Sequence, residues 1–234
     1  MYMSFSEILE HLRHLNNASI VLRLILALIF GGIIGLERER KGRPAGFRTH
    51  MLVCMGASLV MMINQYVTFE LAIPSDPVRL GAQVISGIGF LGAGTIIVTG
   101  RQQVKGLTTA AGLWASACMG LAIGVGFYEG AILSCFFIYT AIKLLNRFDS
   151  YIISTSKNMR VYIELSQSRD LGKIISGLKQ MDLKINDVQV TKGRSDDADA
   201  TNAIFDLQIK NKMKHAEIIM NIAMVDGVGS VEEI

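Results

Sequence analysis

The sequence predicts an α-helical multi-pass membrane bundle of about five spans, followed by a small α+β cytoplasmic domain of ferredoxin-like βαββαβ order. Three observations predict it. The chain has 234 residues, a mean hydropathy of +0.39 and 18% charged residues, where an average soluble domain carries about 25%. The charges are unevenly placed: between Leu107 and Ile142 only Glu129 is charged, whereas past Asn146 a charge arrives every few positions. The hydrophobic period also changes near residue 158, from long apolar runs to strand alternation and short helical stripes. The expected divisions are an extracytoplasmic segment over 1–18, a transmembrane domain over 19–147, a linker over 148–157 and a cytoplasmic domain over 158–234.

The N-terminal segment carries Glu7, Glu10, His11, Arg13 and His14, and no small-residue cleavage site follows the first apolar run, so it does not read as a cleaved signal. Glu7, His11 and His14 share one face of a short helix; a solvated amphipathic face accounts for them more simply than a metal site. A bilayer core of about 30 Å takes roughly 20 apolar residues as helix. Five stretches approach that length: Ser19 to Leu36, Thr49 to Val67, Leu80 to Val98, Leu107 to Gly126 and Tyr128 to Leu145. The last two adjoin and form a tight helical hairpin.

Lys and Arg in short loops mark the cytoplasmic side. Arg38, Arg40, Lys41, Arg43 and Arg48 follow span one, Arg101 and Lys105 follow span three, and Lys143 and Arg147 close span five. The N-terminus is therefore expected outside and the C-terminal domain inside. Arg23 is the misfit, a cation near the outer start of span one that is expected to snorkel to the interface. Gly31/Gly35 and Gly120/Gly124 are GxxxG pairs, which let helix backbones approach closely. Span three holds Gly87, Gly89, Gly92 and Gly94; glycine this dense permits either close packing or a broken helix lining a cavity. Its Gly87-x-Gly-x-x-Gly92 spacing lacks the strand, the βαβ unit and the downstream acid of a dinucleotide fingerprint.

In the tail, Val161, Ile163 and Leu165 alternate as in a strand, and Leu171, Ile174, Ile175, Leu178 and Met181 follow helix spacing. Ile185, Val188 and Val190 make a second strand with an irregularity at Asn186-Asp187. Gly193 to Asp199 is a polar turn, and Ala203, Phe205, Leu207 and Ile209 alternate again. Ile218, Ile219, Ile222 and Val225 return to helix spacing before a short strand at Val228 to Ile234. The order βαββαβ is the ferredoxin-like unit, and its modest core favours pairing with another copy.

Several functions are set aside. A net charge of +3 with no basic patch interleaved with aromatics gives no nucleic-acid surface. Cys54, Cys118 and Cys135 are odd in number and lie inside apolar runs, so no disulfide framework is expected. There is no phosphate-binding GxxxxGK[ST] loop and no cysteine–histidine pair, so no enzyme and no cofactor is expected. What remains is the charged inner face. Span one ends in Gly35-Leu-Glu-Arg-Glu-Arg-Lys41, span two opens with Gly46-Phe-Arg-Thr-His50, and the next inner loop adds Lys105-Gly-Leu-Thr-Thr109. Glu37 and Lys41 form a helical i,i+4 pair that anchoring alone explains. Alternatively, Glu37 and Glu39 pair with Arg38 or Arg48 and set the geometry of spans one to four, at a face that contacts a partner or gates a cavity.

At these residues the chain resembles the MgtC/SapB family of bacterial membrane proteins. The resemblance is carried by Gly31 to Gly35 with Glu37-Arg38-Glu39, by Gly46-x-Arg48-Thr49, by Gly87-Ile-Gly89-Phe-Leu-Gly92-Ala-Gly94-Thr95, and by Gly106-Leu-Thr108-Thr109 leading to Leu113-Trp114. It covers spans one to four closely and span five by position. It implies a protein of the bacterial plasma membrane tied to magnesium limitation and, in pathogens, to survival inside macrophages. It also implies contact with a membrane partner, the F-type ATP synthase among the candidates, and self-association through an ACT-like tail. Two readings follow: a non-enzymatic regulator acting by helix contact, and a transporter or channel for Mg²⁺ or another small solute.

Overall fold

A computed structural model describes residues 5–74, 76–99, 103–165, 167–192, 201–210 and 213–234. The chain divides into two compact units, Met1–Leu145 and Asn146–Ile234.

The first unit is helical. A short helix α1 (Phe5–Arg13) precedes α2 (Asn17–Arg40), which opens with a reciprocal cap. The Asn16 side chain accepts from the Ser19 N–H at 2.8 Å, and the Ser19 hydroxyl accepts from the Asn16 N–H at 2.9 Å. Helix α3 (Phe47–Gln65) continues through a π-helical turn, Tyr66–Glu70. Buried Asn64 fastens the following loop by donating to the Pro77 carbonyl at 2.7 Å. Next come α4 (Arg79–Gly94), α5 (Leu107–Gly124) and α6 (Tyr128–Thr155). Among the described residues, three helices are long and apolar enough to cross a membrane: Asn17–Arg40, Phe47–Glu70 and Leu107–Gly124. Helix α6 runs on to Thr155, through most of the segment expected as a linker.

The third expected span is corrected. Helix α4 has 16 residues, about 24 Å at a rise of 1.5 Å per residue. It ends at Gly94 rather than Val98. The Thr95 N–H and hydroxyl both return to the Gly92 carbonyl, at 3.0 and 2.8 Å, and close the last turn. The apolar residues beyond it then form a strand, β1 (Ile97–Val98), paired antiparallel with β2 (Val104–Lys105). Through Gly87 to Gly94 the helix is continuous, so the glycine run does not break it.

Helix α3 lies at the centre, and both GxxxG pairs pack on it. A Cβ on Gly31 would stand 2.7 Å from the His50 carbonyl, and one on Gly35 would stand 2.7 Å from Phe47 Cα. On α5, a Cβ at Gly120 or Gly124 would collide with the carbonyl oxygens of Cys54 and Ser58. Close backbone approach is thus the reason for these four glycines. Helix α6 adds Ala131 and Cys135 to a core with Ala27, Cys54, Met119 and Ile123.

The second unit runs β3 (Asn158–Leu165), α7 (Leu171–Gln180), β4 (Leu183–Lys192), β5 (Thr201–Ile209), α8 (His215–Ala223), β6 (Val228–Glu233). Its antiparallel sheet has the order β4-β5-β3-β6. Alternation works as strand geometry requires: Val161, Ile163, Phe205 and Leu207 face the core and meet Ile174, Leu178, Ile218 and Ile222 from the helices. The irregularity expected at Asn186-Asp187 is a register shift between Ile185 and Asp187. The turn expected at Gly193 to Asp199 lies outside the described residues.

On the polar side of the sheet, Arg160 and Asp206 are direct cross-strand partners. The guanidinium donates twice, Nε to Oδ1 at 2.5 Å and Nη2 to Oδ2 at 2.9 Å. That hydrogen bond, with the adjacent positive charge, holds the Asp206 carboxyl below the usual carboxylate range. A depressed folded pKa contributes stability above the unfolded value and loses it as pH falls through the folded one, so the contribution fades in acid below pH about 4. Both side chains are partly exposed, which limits the pair to about 0.5–1 kcal/mol. Arg160→Ala should therefore speed hydrogen exchange of the β3–β5 amides in the full-length protein about two- to fivefold at neutral pH, and by less at pH 3.

Candidate functional site

Where α2 ends, the acids and bases of the charged helix ends sort into separate tasks. Glu37 pairs with Lys41 at 3.1 Å, the i,i+4 pair of the simpler reading. Glu39 accepts from the Phe47 N–H at 2.8 Å and so caps α3, where a carboxylate also complements the helix dipole. Gly46 makes this capping possible, since a Cβ there would sit 3.0 Å from Glu39 Oε2. In place of the ion pairs expected with Arg38 or Arg48, Glu37 pairs with Lys41 and Glu39 caps α3, while the charge of Glu37 still reaches Arg38. Arg48 and Thr49 point to the surface.

Arg38 is instead buried, 1% exposed. Its Nη2 donates to Thr109 Oγ1 at 3.2 Å, joining the end of α2 to the first turn of α5. Its Nε is buried without a partner among the described residues. One turn into α3, His50 is fully buried, with Nδ1 2.9 Å from Ser116 Oγ on α5 and Nε2 unpartnered. The structure therefore brings together Arg38 and Thr109 of the expected set, and adds His50 and Ser116. The available signal was a histidine just inside an apolar helix, after Arg48 and Thr49, and a serine on a helix otherwise apolar at that turn.

Thr95 and Gly106 also meet. Gly106 stands before α5 at φ +100°, and a Cβ on it would overlap the Thr95 carbonyl. Only glycine satisfies both the positive φ and the contact. Thr108 and Trp114 are exposed on α5. The glycines of α4 divide. Gly92 packs on α5, its Cβ position 3.4 Å from Ala110 Cβ, whereas Gly87, Gly89 and Gly94 have nothing within 4 Å among the described residues. Gly87 and Gly94 share a helix face with Phe90, which is 84% exposed.

At the other end of the bundle, Arg23 does not snorkel. It is completely buried and all five of its N–H groups find oxygen. Nε donates to Tyr128 Oη (3.2 Å), Nη1 to Gln65 Oε1 (2.6 Å) and the Gly124 carbonyl (2.8 Å), and Nη2 to the carbonyls of Leu12 (3.4 Å) and Arg13 (2.7 Å). These acceptors belong to α1, to the end of α3 and to the α5–α6 junction, so one side chain ties these helix ends together. Arg13 forms an ion pair with Glu129 nearby.

Among the described residues of this unit the buried polar side chains are Ser19, Arg23, Arg38, His50, Ser58, Asn64, Thr109 and Ser116, with no carboxylate. No group of three His, Cys, Asp or Glu placed to hold a metal occurs among the described residues.

The sequence profile of the MgtC family matches residues 24–151. The chain is 32% identical to protein SapB of Bacillus subtilis over 182 residues, 73% of this chain and 77% of SapB. It is 36% identical to protein MgtC of Salmonella typhimurium LT2 over 154 residues, 64% of each. It is 46% identical to YhiD of Escherichia coli K12, named as a candidate magnesium transporter, over 116 residues, 48% of this chain and 54% of YhiD. No solved structure matches.

Proposed function

Since the chain belongs to the MgtC family, we propose that it is a regulator of the bacterial plasma membrane, active in adaptation to low Mg²⁺ and acting by helix contact with another membrane protein rather than by catalysis. The observation that carries this reading is the free face of α4. The glycines of α2 and α5 are consumed in packing on α3, whereas Gly87 and Gly94 flank exposed Phe90 and meet no neighbour among the described residues. A small-large-small face in a bilayer suits a partner helix, because small residues let its backbone come close. The F-type ATP synthase is one candidate partner. The reading includes five spans with α4 and α6 among them, the N-terminus outside, and the ACT-like tail inside as a module for self-association. The arginines and lysines around Arg38 to Arg48 support that orientation.

Gly87→Leu and Gly94→Leu should leave insertion and monodispersity unchanged and lower growth of a complemented deletion strain in low Mg²⁺ by about tenfold, the size of a 1.4 kcal/mol loss at the partner contact. Wild-type complementation by both variants would remove the basis for a partner at this face. Gly92→Leu is a different experiment, since it also disturbs the α4–α5 contact.

The second reading, a transporter, is favoured by the name that YhiD bears. Against it stand the interior groups. Mg²⁺ is bound by oxygen, chiefly carboxylates, whereas the buried charged side chains described in the helical unit are arginines. Mg²⁺ flux into proteoliposomes of the purified protein, lost in Glu37→Gln, would establish the transporter in place of the regulator.

A further inference from the structure

The two buried arginines of the helical unit are built differently. Arg23 directs every N–H to an oxygen of the chain. Arg38, equally enclosed, makes its bond to Thr109 while its Nε meets no acceptor. Its neighbouring acids are committed elsewhere, Glu37 to Lys41 and Glu39 to the Phe47 N–H. Among the described residues no carboxylate hydrogen-bonds to it, and Glu37 reaches it through its charge alone.

Two further features converge on the same place. His50, within electrostatic reach of Arg38, keeps Nε2 buried and unpartnered. Helix α5, whose Thr109 holds Arg38, begins at Gly106 with no side-chain cap. Arg38 thus meets the first turn of α5 through the Thr109 hydroxyl, at the end of that helix where the leading N–H groups lack helical partners and the dipole is positive. A buried cation and an uncapped helix start form a cluster short of acceptors, and His50 adds a further donor in the tautomer that carries its proton on Nε2 while Nδ1 accepts from Ser116. A tetrahedral oxyanion supplies several acceptors at once, and the planar guanidinium fork suits it better than an ammonium does. Arg40, Lys41, Arg43 and Arg48 surround the same helix ends and raise the local concentration of anions.

We propose that Arg38, with His50 and the N-terminus of α5, is a binding site for a phosphate group, supplied by the headgroup of an anionic phospholipid. Arg38 lies one turn from the end of a helix long enough to cross the bilayer, which is headgroup depth. Assigning that headgroup to the cytoplasmic leaflet rests on the orientation proposed above; the site itself does not. Free inorganic phosphate offers the same chemistry and is the other source.

The full-length protein in dodecyl maltoside, which contains no phosphate, decides this. It is titrated in parallel with phosphatidylglycerol, phosphatidylcholine and inorganic phosphate, and read by native mass spectrometry and thermal unfolding. The expected result is a single phosphatidylglycerol retained per chain and a raised midpoint, with phosphatidylcholine about tenfold weaker because its headgroup carries no net charge. The same rise with inorganic phosphate would identify the free anion as the ligand of this site. Arg38→Gln should abolish the response, and Arg38→Lys, which keeps the charge but not the fork, should weaken it about tenfold. Folded wild-type protein that retains no phospholipid and gains no stability from any of the three overturns the proposal. So does an unchanged response in either variant, which would move the binding to the basic loop. Should neither variant fold, the wild-type stoichiometry decides: one lipid per chain supports the site, and none refutes it.

Discussion

Arg23→Met is expected to free the N-terminal helix and destabilise the helical unit by on the order of 4 kcal/mol, about a thousandfold in the unfolded fraction. The magnitude follows from what the change leaves behind. Five acceptors lose their donor together: Tyr128 Oη, the Gln65 amide and three main-chain carbonyls. The Gly124 carbonyl belongs to the last turn of α5, where no helical N–H is available to replace the guanidinium. Each stranded polar group costs about 1–3 kcal/mol, and the losses overlap because they share one cavity. Gly126 shows how closely the turn is fitted: at φ +81° it passes the guanidinium with its Cβ position 3.0 Å from Nη2. Trypsin should then cleave rapidly after Arg13 in the variant and slowly in the wild type. Arg23→Lys, with three donors on a point charge, should recover less than half of the loss. Equal protease resistance of Arg23→Met and wild type would mean that α1 is held by the exposed Arg13–Glu129 pair instead.

Arg23 also marks what the sequence could not disclose. Its partners lie up to 105 residues away and are mostly main-chain oxygens, which no side-chain pattern records. A lone cation in an apolar run reads the same whether it snorkels or is enclosed. Arg38 was legible as part of a charged motif but not as its buried member, because helical spacing fits Glu37 to Lys41 and leaves Glu39 free either for an arginine or for a backbone cap. The end of α4 was misread for a different reason. Ile96, Ile97 and Val98 keep the hydropathy of a span, and only the Thr95 bonds to Gly92 and the pairing with Val104–Lys105 stop the helix. In contrast, the tail's alternation and the bulge at Asn186-Asp187 were legible, since a strand with one buried face writes its register into every second residue. The GxxxG pairs were legible as contact faces, but not as two faces meeting the same helix.

That shared helix sets the sign of the largest effects expected from adding a single methyl group. Gly120→Ala places a Cβ against the Cys54 carbonyl oxygen and 2.9 Å from the Ala57 Cβ. Both neighbours belong to α3, which also makes the tight crossing with Gly31 and Gly35 of α2. The backbone therefore cannot step back without opening a second tight crossing. Overpacking of this kind costs about 3 kcal/mol, near the upper end for added methylenes, because the atom struck is main chain rather than a flexible side-chain tip. Gly124→Ala meets the Ser58 carbonyl in the same way. Gly56→Ala is the internal control. It lies in α3 itself, exposed, with nothing within 4 Å of its Cβ position, and should stabilise the helix by up to about 1 kcal/mol through propensity alone. Thermal unfolding of the three purified variants thus predicts opposite signs for chemically identical changes. A Gly120→Ala protein as stable as the wild type would show that α3 and α5 do not cross at this glycine, and that the central position of α3 is wrong.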